Sequence, residues 1–324
     1  MTAAEPITIL LPVYGRSTLL AAALESVLAL DQPEWRLLIA DDGSDATTSN
    51  CIQNWLNQHQ DQAIEWKRRP RNLGLFANLN RAIGEAQTEW VLLLCSDDLL
   101  HPHAITRLKT LQQDWPAAEL ILSSFDSINA DGTPRPADSA RHHDQISLET
   151  TQVPCSTAIP ALLKLGSING NLTGMALKRS LWQRVGGFRE DWRHAADWEW
   201  LVRAAGDSPL LLNRTPIAQV RTHAQQLSNS NRRSGHELQE VAEVVSTLVN
   251  HPLLLGEPQR RRWAAHVMQF QLWNVIKGSL RQPGSHPLSA LGAIHRSAGL
   301  RQTALALFRW LPTRWQTQQR PSAH

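Results

Sequence analysis

The sequence predicts an α/β fold followed by a helical region. Three observations carry that prediction. Short runs of strand length, Ile7–Val13, Arg36–Ala40 and Trp90–Cys95, alternate with stretches of helical period. Two of these runs end abruptly in acid, at Asp41–Asp42 and at Asp97–Asp98. Beyond the polar run Gln225–Gly235 only helical spacing remains, so a boundary is expected near residue 230, with a domain over residues 1–230 and a helical region over 231–324.

Ile7–Val13 reads as the first strand, stopped by Pro12 near its end, which places Tyr14 at the strand's carboxyl end. Ser17–Leu30 follows as a helix with Leu20, Leu24, Val27 and Leu28 on one face. The second strand, Arg36–Ala40, runs into Asp41-Asp42-Gly43-Ser44-Asp45. A right-handed strand–helix–strand unit brings its two carboxyl ends to one sheet edge, where ligands of open α/β sheets bind. A helix over Ala46–His59, a strand near Ile64–Trp66, and a helix running to Ala86 come next. Asn72 and Gly74 open that last helix, where free amide groups favour an anion.

Trp90–Cys95 is apolar enough for a strand buried on both faces, and Ser96-Asp97-Asp98 follows it. Adjacent carboxylates at a buried strand end repel and lose solvation, and a divalent cation relieves both penalties. Capping of a helix starting near Pro102 is the other role open to them. Another strand is expected at Glu119–Ser123, and a mobile surface loop, of the kind that serves as a lid, over Asn129–Gln145. Asn169–Met175 offers small residues for a close backbone approach, and Arg179–Val185 is a short helix capped by Gly186–Gly187. Asp197 and Glu199 fall in the first turn of the next helix about 200° apart, so only one can face a shared site. Strands near Leu210–Leu212 and Ile217–Val220 precede Arg221-Thr222-His223.

Cys51, Cys95 and Cys155 are too few and too scattered for a zinc site or a disulfide framework. Residues 1–6 have neither a basic start nor an apolar stretch, and no segment approaches the roughly twenty apolar residues that cross a bilayer, so a cytoplasmic protein is expected. The net charge of +3 is uneven. Residues 258–324 hold ten Lys and Arg and no acid, while the chain before them is acidic. In the basic part Leu291, Ile294, Ala298, Leu305, Phe308 and Trp310 recur at helical spacing beside Arg296, Arg301, Arg309 and Arg314. That pattern suits packing on the first domain or peripheral attachment to an anionic membrane surface. The cations are spread among apolar residues rather than clustered, which speaks against nucleic acid.

With these stretches in order (PVY at Pro12–Tyr14, DDGS at Asp41–Ser44, RNLG at Arg71–Gly74, SDD at Ser96–Asp98, KRSLWQRVGGF at Lys178–Phe188 and ADWE at Ala196–Glu199), residues 5–230 resemble the inverting family 2 glycosyltransferases of the GT-A fold, a Rossmann-like nucleotide-diphospho-sugar transferase architecture. The resemblance implies a cytoplasmic enzyme of polysaccharide biosynthesis. It would move one sugar from a UDP- or dTDP-linked donor to a hydroxyl of a glycan or lipid-linked precursor, with Mn²⁺ or Mg²⁺. It also implies site residues. Pro12, Val13 and Tyr14 would wall the nucleoside, with Asn72 and Gly74 beside it; Asp42 would bind the base; Asp97 would lie near the ribose; Asp98 would ligate the metal; His223 would contact the phosphate or metal; and Asp197 would be the catalytic base.

Two features depart from the family pattern. Ala196 stands where a Glu usually precedes the catalytic Asp, which leaves a non-catalytic sugar-nucleotide-binding or scaffold protein as the alternative. Gln259–Trp263, QRRRW, matches the QxxRW of processive synthases, but those enzymes carry transmembrane helices, so Arg260–Arg262 is read as a basic helix face.

Overall fold

A computed structural model describes residues 5–15, 17–135, 141–168, 171–223, 236–281 and 287–318. The chain divides into two compact units, residues 1–158 with 167–229, and residues 159–166 with 230–324. The expected polar run Gln225–Gly235 lies outside the described residues, as do Asn169 and Gly170.

The first unit is α/β. The elements of residues 5–223 in order are β1 (Ile7–Val13), α1 (Ser17–Leu28), β2 (Trp35–Asp41), α2 (Ala46–Gln58), β3 (Ile64–Arg68), α3 (Leu75–Glu85), β4 (Trp90–Leu93), β5 (Leu99–Leu100), α4 (Ala104–Asp114), β6 (Leu120–Ser123), β7 (Asp126–Asn129), α5 (Arg141–Asp144), β8 (Thr151–Val153), α6 (Cys155–Leu165), most of which belongs to the second unit, β9 (Met175–Lys178), α7 (Arg179–Val185), α8 (Ala196–Asp207), β10 (Leu210–Asn213) and β11 (Ala218–Thr222). An eight-stranded sheet runs β3-β2-β1-β4-β9-β6-β10-β8, and a three-stranded sheet runs β5-β11-β7. Strands β1 to β4 are parallel to one another, with Val13 beside Asp41 and Leu10 beside Leu93. Their carboxyl ends therefore share one edge. The core packs on these strands: Ile9, Leu11, Leu37, Ile39 and Leu92 are closed from solvent with Leu20, Leu24 and Val27 of α1 and Ile105 and Leu108 of α4.

Three local features differ from the expectation. β9 enters the middle of the sheet antiparallel to both β4 and β6. Within the Asn129–Gln145 stretch β7 ends at Asn129, Ile128 bridges to Pro134 and α5 spans Arg141–Asp144, while residues 136–140 lie outside the described residues. Finally, Asp97 and Asp98 cap no helix. α4 begins beyond His103 without a side-chain cap, and β5 intervenes.

The second unit is helical: α9 (His236–Val249), a 3₁₀ turn at Pro252–Leu254, α10 (Arg260–Arg281), α11 (Pro287–Ala298) and α12 (Leu300–Gln318). α9 packs on α10 and α11, and α10 on α11 and α12. Val245, Leu248, Ala264, Met268, Ile294 and Ala298 are closed from solvent within it. The apolar spacing read from the sequence thus divides. Ile294 and Ala298 are core, Trp310 meets the Phe270 ring edge-on at 5.0 Å, and Leu305 and Phe308 are 49% and 74% exposed. Among the described residues no helix is long and apolar enough to cross a membrane.

Candidate active site

The shared edge is acidic because of what terminates its strands. β2 ends in Asp41 and continues into Asp42, both buried. The Asp42 amide donates to the Val13 carbonyl at 2.8 Å, which ties the end of β1 to that of β2. Asp42 then holds the start of α3: its two oxygens accept from the amides of Leu73 (2.8 Å) and Gly74 (2.9 Å). The anion at this helix start is thus a side chain of the protein. Burial raises the Asp42 pKa, and the two amides and the Arg69 charge oppose that rise. Arg69 is itself buried, bound to Glu85 by a two-pronged pair at 2.8 Å and to Asn78, which in turn donates to the Ala40 carbonyl. Asp41 accepts from the Ser44 amide, and Ser44 accepts from the Gly15 amide, so the Tyr14–Gly15 turn is fixed to the Asp42–Ser44 turn. Tyr14 projects from it, 58% exposed. Pro12 and Val13 are buried in β1, and Asn72 accepts from the Gly74 amide.

The second part lies beyond β4. Asp98 is 2% exposed and enclosed by donors: the Arg221 amide at 2.8 Å on one oxygen, the Thr173 hydroxyl at 2.5 Å and the Asn171 amide group at 3.1 Å on the other. Burial, and then the charge of Asp97, push its pKa up to about 7 against those donors. Asp97 points differently, and its carboxylate lies 3.0 Å from His223 Nε2. Arg221 braces the pair. Its Nε donates to the Asp97 carbonyl and its Nη1 to the carbonyls of Asn129 and Ala130, which joins the small sheet to the edge. Cys95 completes the cluster, with its sulfur and one oxygen each of Asp97 and Asp98 all within 4.8 Å of one another.

Asp197 comes from α8 and is half-buried. Its helix is fastened to α3 by two devices. Asn80 of α3 donates to the Phe188 carbonyl and accepts from the Phe188 amide, each at 2.8 Å, and the rings of Phe76, Phe188 and Trp200 pack in series at 5.6 and 5.3 Å. Glu199 belongs to this framework rather than to the site: it pairs with Arg203, which donates to the carbonyls of Val185, Gly186 and Gly187.

The structure thus brings Val13, Asp42 and Gly74 together at one place, Asp97, Asp98 and His223 at another, and keeps Asp197 on its own helix. Sequence reasoning missed Thr173, Asn171 and Arg221. Their one visible signal was a run of small polar residues before β9 and an arginine at the end of a strand. The donor chemistry fits a divalent cation: carboxylate oxygens and an imidazole nitrogen are ligands that Mn²⁺ and similar ions accept. Asp98, for which the family pattern implies direct ligation, accepts from protein donors on both oxygens and lies with Asp97 and Cys95 in the cluster that could hold a cation.

An acidic edge at the carboxyl ends of parallel strands, in an α/β sheet with a central antiparallel strand, defines a nucleotide-diphospho-sugar transferase fold of the GT-A type. The chain belongs to glycosyl transferase family 2, whose model matches residues 8–182. Poly-beta-1,6-N-acetyl-D-glucosamine synthase of Staphylococcus epidermidis is 31% identical over 100 residues, 31% of this chain and 24% of the relative. The chain matches between 14% and 38% of the length of its curated relatives. Among solved structures, S. aureus TarS 1-349 in complex with UDP-GlcNAc superposes with a TM-score of 0.68 at 15% identity, over 93% of this chain and 84% of that one. The mannosyltransferase PcManGT from Pyrobaculum calidifontis, in complex with GDP-Man and Mn²⁺, gives 0.57 at 18% identity, over 94% and 88%. At these identities the likeness is one of fold.

Proposed function

We propose that this protein transfers a single sugar from a UDP- or dTDP-linked donor, with inversion, to a hydroxyl of a glycan or lipid-linked precursor. The observation that carries the proposal is the contact of Asp97 with His223, which unites the ends of β4 and β11 at the edge where β1 and β2 also end. UDP-GlcNAc in the TarS complex and the N-acetylglucosamine named for the staphylococcal synthase support a UDP-linked donor.

On this reading the nucleoside rests against Pro12, Val13 and Tyr14. Asp42 shapes its pocket by holding the turn that contains Asn72 and Gly74. Asp98 and His223 would hold the Mn²⁺ or Mg²⁺, with Asp97 beside them, and the Arg221 amide and the Thr173 hydroxyl fix the Asp98 carboxylate in place. When bound, the cation neutralises charge developing on the departing diphosphate. Asp197 takes the proton from the acceptor hydroxyl as that oxygen attacks the anomeric carbon from the face opposite the leaving group. The C–O bond to the diphosphate breaks, and the nucleoside diphosphate departs. Ala196 removes a carboxylate beside Asp197 without removing Asp197 itself.

The helical unit also binds a membrane surface. Leu288, Leu305 and Phe308 of the helical unit are exposed, and residues 258–324 contain no acid to repel anionic lipid. Co-sedimentation with phosphatidylglycerol vesicles, lost in high salt and weakened in a Leu305→Ser/Phe308→Ser double variant, is expected; salt-insensitive binding unaffected by the variant would exclude it. For the transfer itself, calorimetric titration with UDP, dTDP and GDP, each with Mn²⁺ and with chelator, is the direct test. Metal-dependent binding of one nucleotide that is abolished in Asp98→Ala supports the reading. Failure of all three to bind overturns it in favour of a non-catalytic scaffold.

A further inference from the structure

The turn that joins α9 to α10, Pro252-Leu253-Leu254-Leu255-Gly256, presents two leucines to water. Leu254 is closed from solvent, whereas Leu253 and Leu255 on either side of it are 50% and 56% exposed. A single exposed leucine is ordinary. This pair is held outward by a turn that is fixed bond by bond. His251 Nδ1 accepts from the Leu253 amide at 3.2 Å, and the amides of Leu254, Leu255 and Glu257 donate to the carbonyls of His251, Pro252 and Leu254. Arg260 Nη1 closes the turn, donating to the carbonyls of Leu255 (2.8 Å) and Glu257 (3.0 Å). With those groups bonded within the protein, the turn can leave water for a lipid interface without leaving its backbone donors unpaired.

Arg260 also begins a cationic run. Arg260, Arg261 and Arg262 open the first turn of α10, where the helix dipole disfavours positive charge and no acid in that turn offsets it. Arg261 and Arg262 are exposed. Glu257, the acid that precedes them, has its carboxylate turned onto the Gln259 amide at 2.9 Å. Because Arg260 ties the helix start to Leu255, the leucines and the arginines form one surface, apolar on the turn and cationic on the helix. Anionic lipid matches both parts, with an acyl boundary for the leucines and phosphates for the guanidinium groups. We propose that the Leu253–Leu255 turn inserts into the interface of an anionic membrane, with Arg261 and Arg262 on the phosphates of the lipid headgroups. The inference rests on the reading that the helical unit binds a membrane, and it adds a contact separate from Leu288, Leu305 and Phe308.

The test floats the full chain with vesicles of phosphatidylcholine mixed with phosphatidylglycerol. Leu253→Ser/Leu255→Ser is expected to lower the partition coefficient about tenfold at low salt, because the apolar contact is lost. Arg261→Gln/Arg262→Gln is expected to lower it about tenfold and to flatten its salt dependence. Leu253→Phe/Leu255→Phe is expected to raise it. The melting temperature is expected to stay at the wild-type value, since all four side chains are exposed. Partition unchanged in Leu253→Ser/Leu255→Ser but weakened in Leu305→Ser/Phe308→Ser overturns the inference and leaves the membrane reading standing. A Leu253→Ser/Leu255→Ser variant that changes only the oligomeric state seen by light scattering overturns it too, and makes the turn a protein contact. If the wild type floats with no vesicle, both readings fall, while nucleotide titration without lipid still decides the transfer reading.

Discussion

Gly43 shows how tightly single residues are set at the sheet edge. It lies at φ +73°, and a Cβ there would meet the Arg71 backbone at 2.7 Å. Gly43→Ala is therefore expected to destabilise the protein by about 1–3 kcal/mol, read as a fall in the denaturant midpoint, with nucleotide binding lost in step as the Arg71–Gly74 turn is pushed away. Asp197→Asn should leave the fold and nucleotide binding intact while lowering transfer about 10²–10⁴-fold, since only the proton acceptor is removed. Calorimetry beside a turnover assay separates the two effects, and unchanged turnover would dismiss Asp197 as the base. Two ion pairs contribute to the pH dependence of stability on the acid side. Arg69 holds Glu85, and Arg184 holds Glu119, below the ordinary carboxylate value of 4.5. A depressed folded pKa means stability that is present above that value and lost as pH falls through the lower, folded one. Glu85→Gln is thus expected to lower stability at pH 7 and to flatten the loss seen between about pH 4.5 and lower values.

At the scale of elements, the coupling that matters is the one between α3 and α8. Asn80 closes both backbone groups of Phe188, and Gly187 leaves the room for it, because a Cβ at Gly187 would come 2.6 Å from the Asn80 oxygen. Asn80→Ala leaves that amide and carbonyl without their partner, at about 1–3 kcal/mol. It also loosens the start of α8, so transfer is expected to fall about 10- to 100-fold with nucleotide affinity unchanged; equal loss of both would mean a general effect on folding. Most of these elements are legible in the sequence, because helical period and short apolar runs are local properties. α1, α2 and α3 end within two residues of the expectation, as do β2 and β3. β9 and α6 went unread, since the polar residues ahead of β9 conceal a short strand whose burial comes from its neighbours β4 and β6.

Across the whole molecule, packing cuts the chain differently from its order. Ile159–Gly166, from the middle of the sequence, goes with residues 230–324, and Lys164 sits over the Trp263 ring at 4.0 Å. A protein truncated after Asn229 would strip that cover from Ile159, Leu162 and Leu163, all closed from solvent in the full chain. It is expected to melt at lower temperature and to aggregate more readily than the full chain. The sequence by itself determined the α/β class, the acidic strand ends at Asp41–Asp42 and Asp97–Asp98, and the family motifs, because each is written in contiguous residues. Only the tertiary structure decided what surrounds the two aspartates of the SDD. Asp98 is buried by Thr173, Asn171 and Arg221, and Asp97 faces His223, partners that lie 73 to 126 residues away. A carboxylate's role follows from which donors surround it and how much water they exclude, and those are properties of the folded chain.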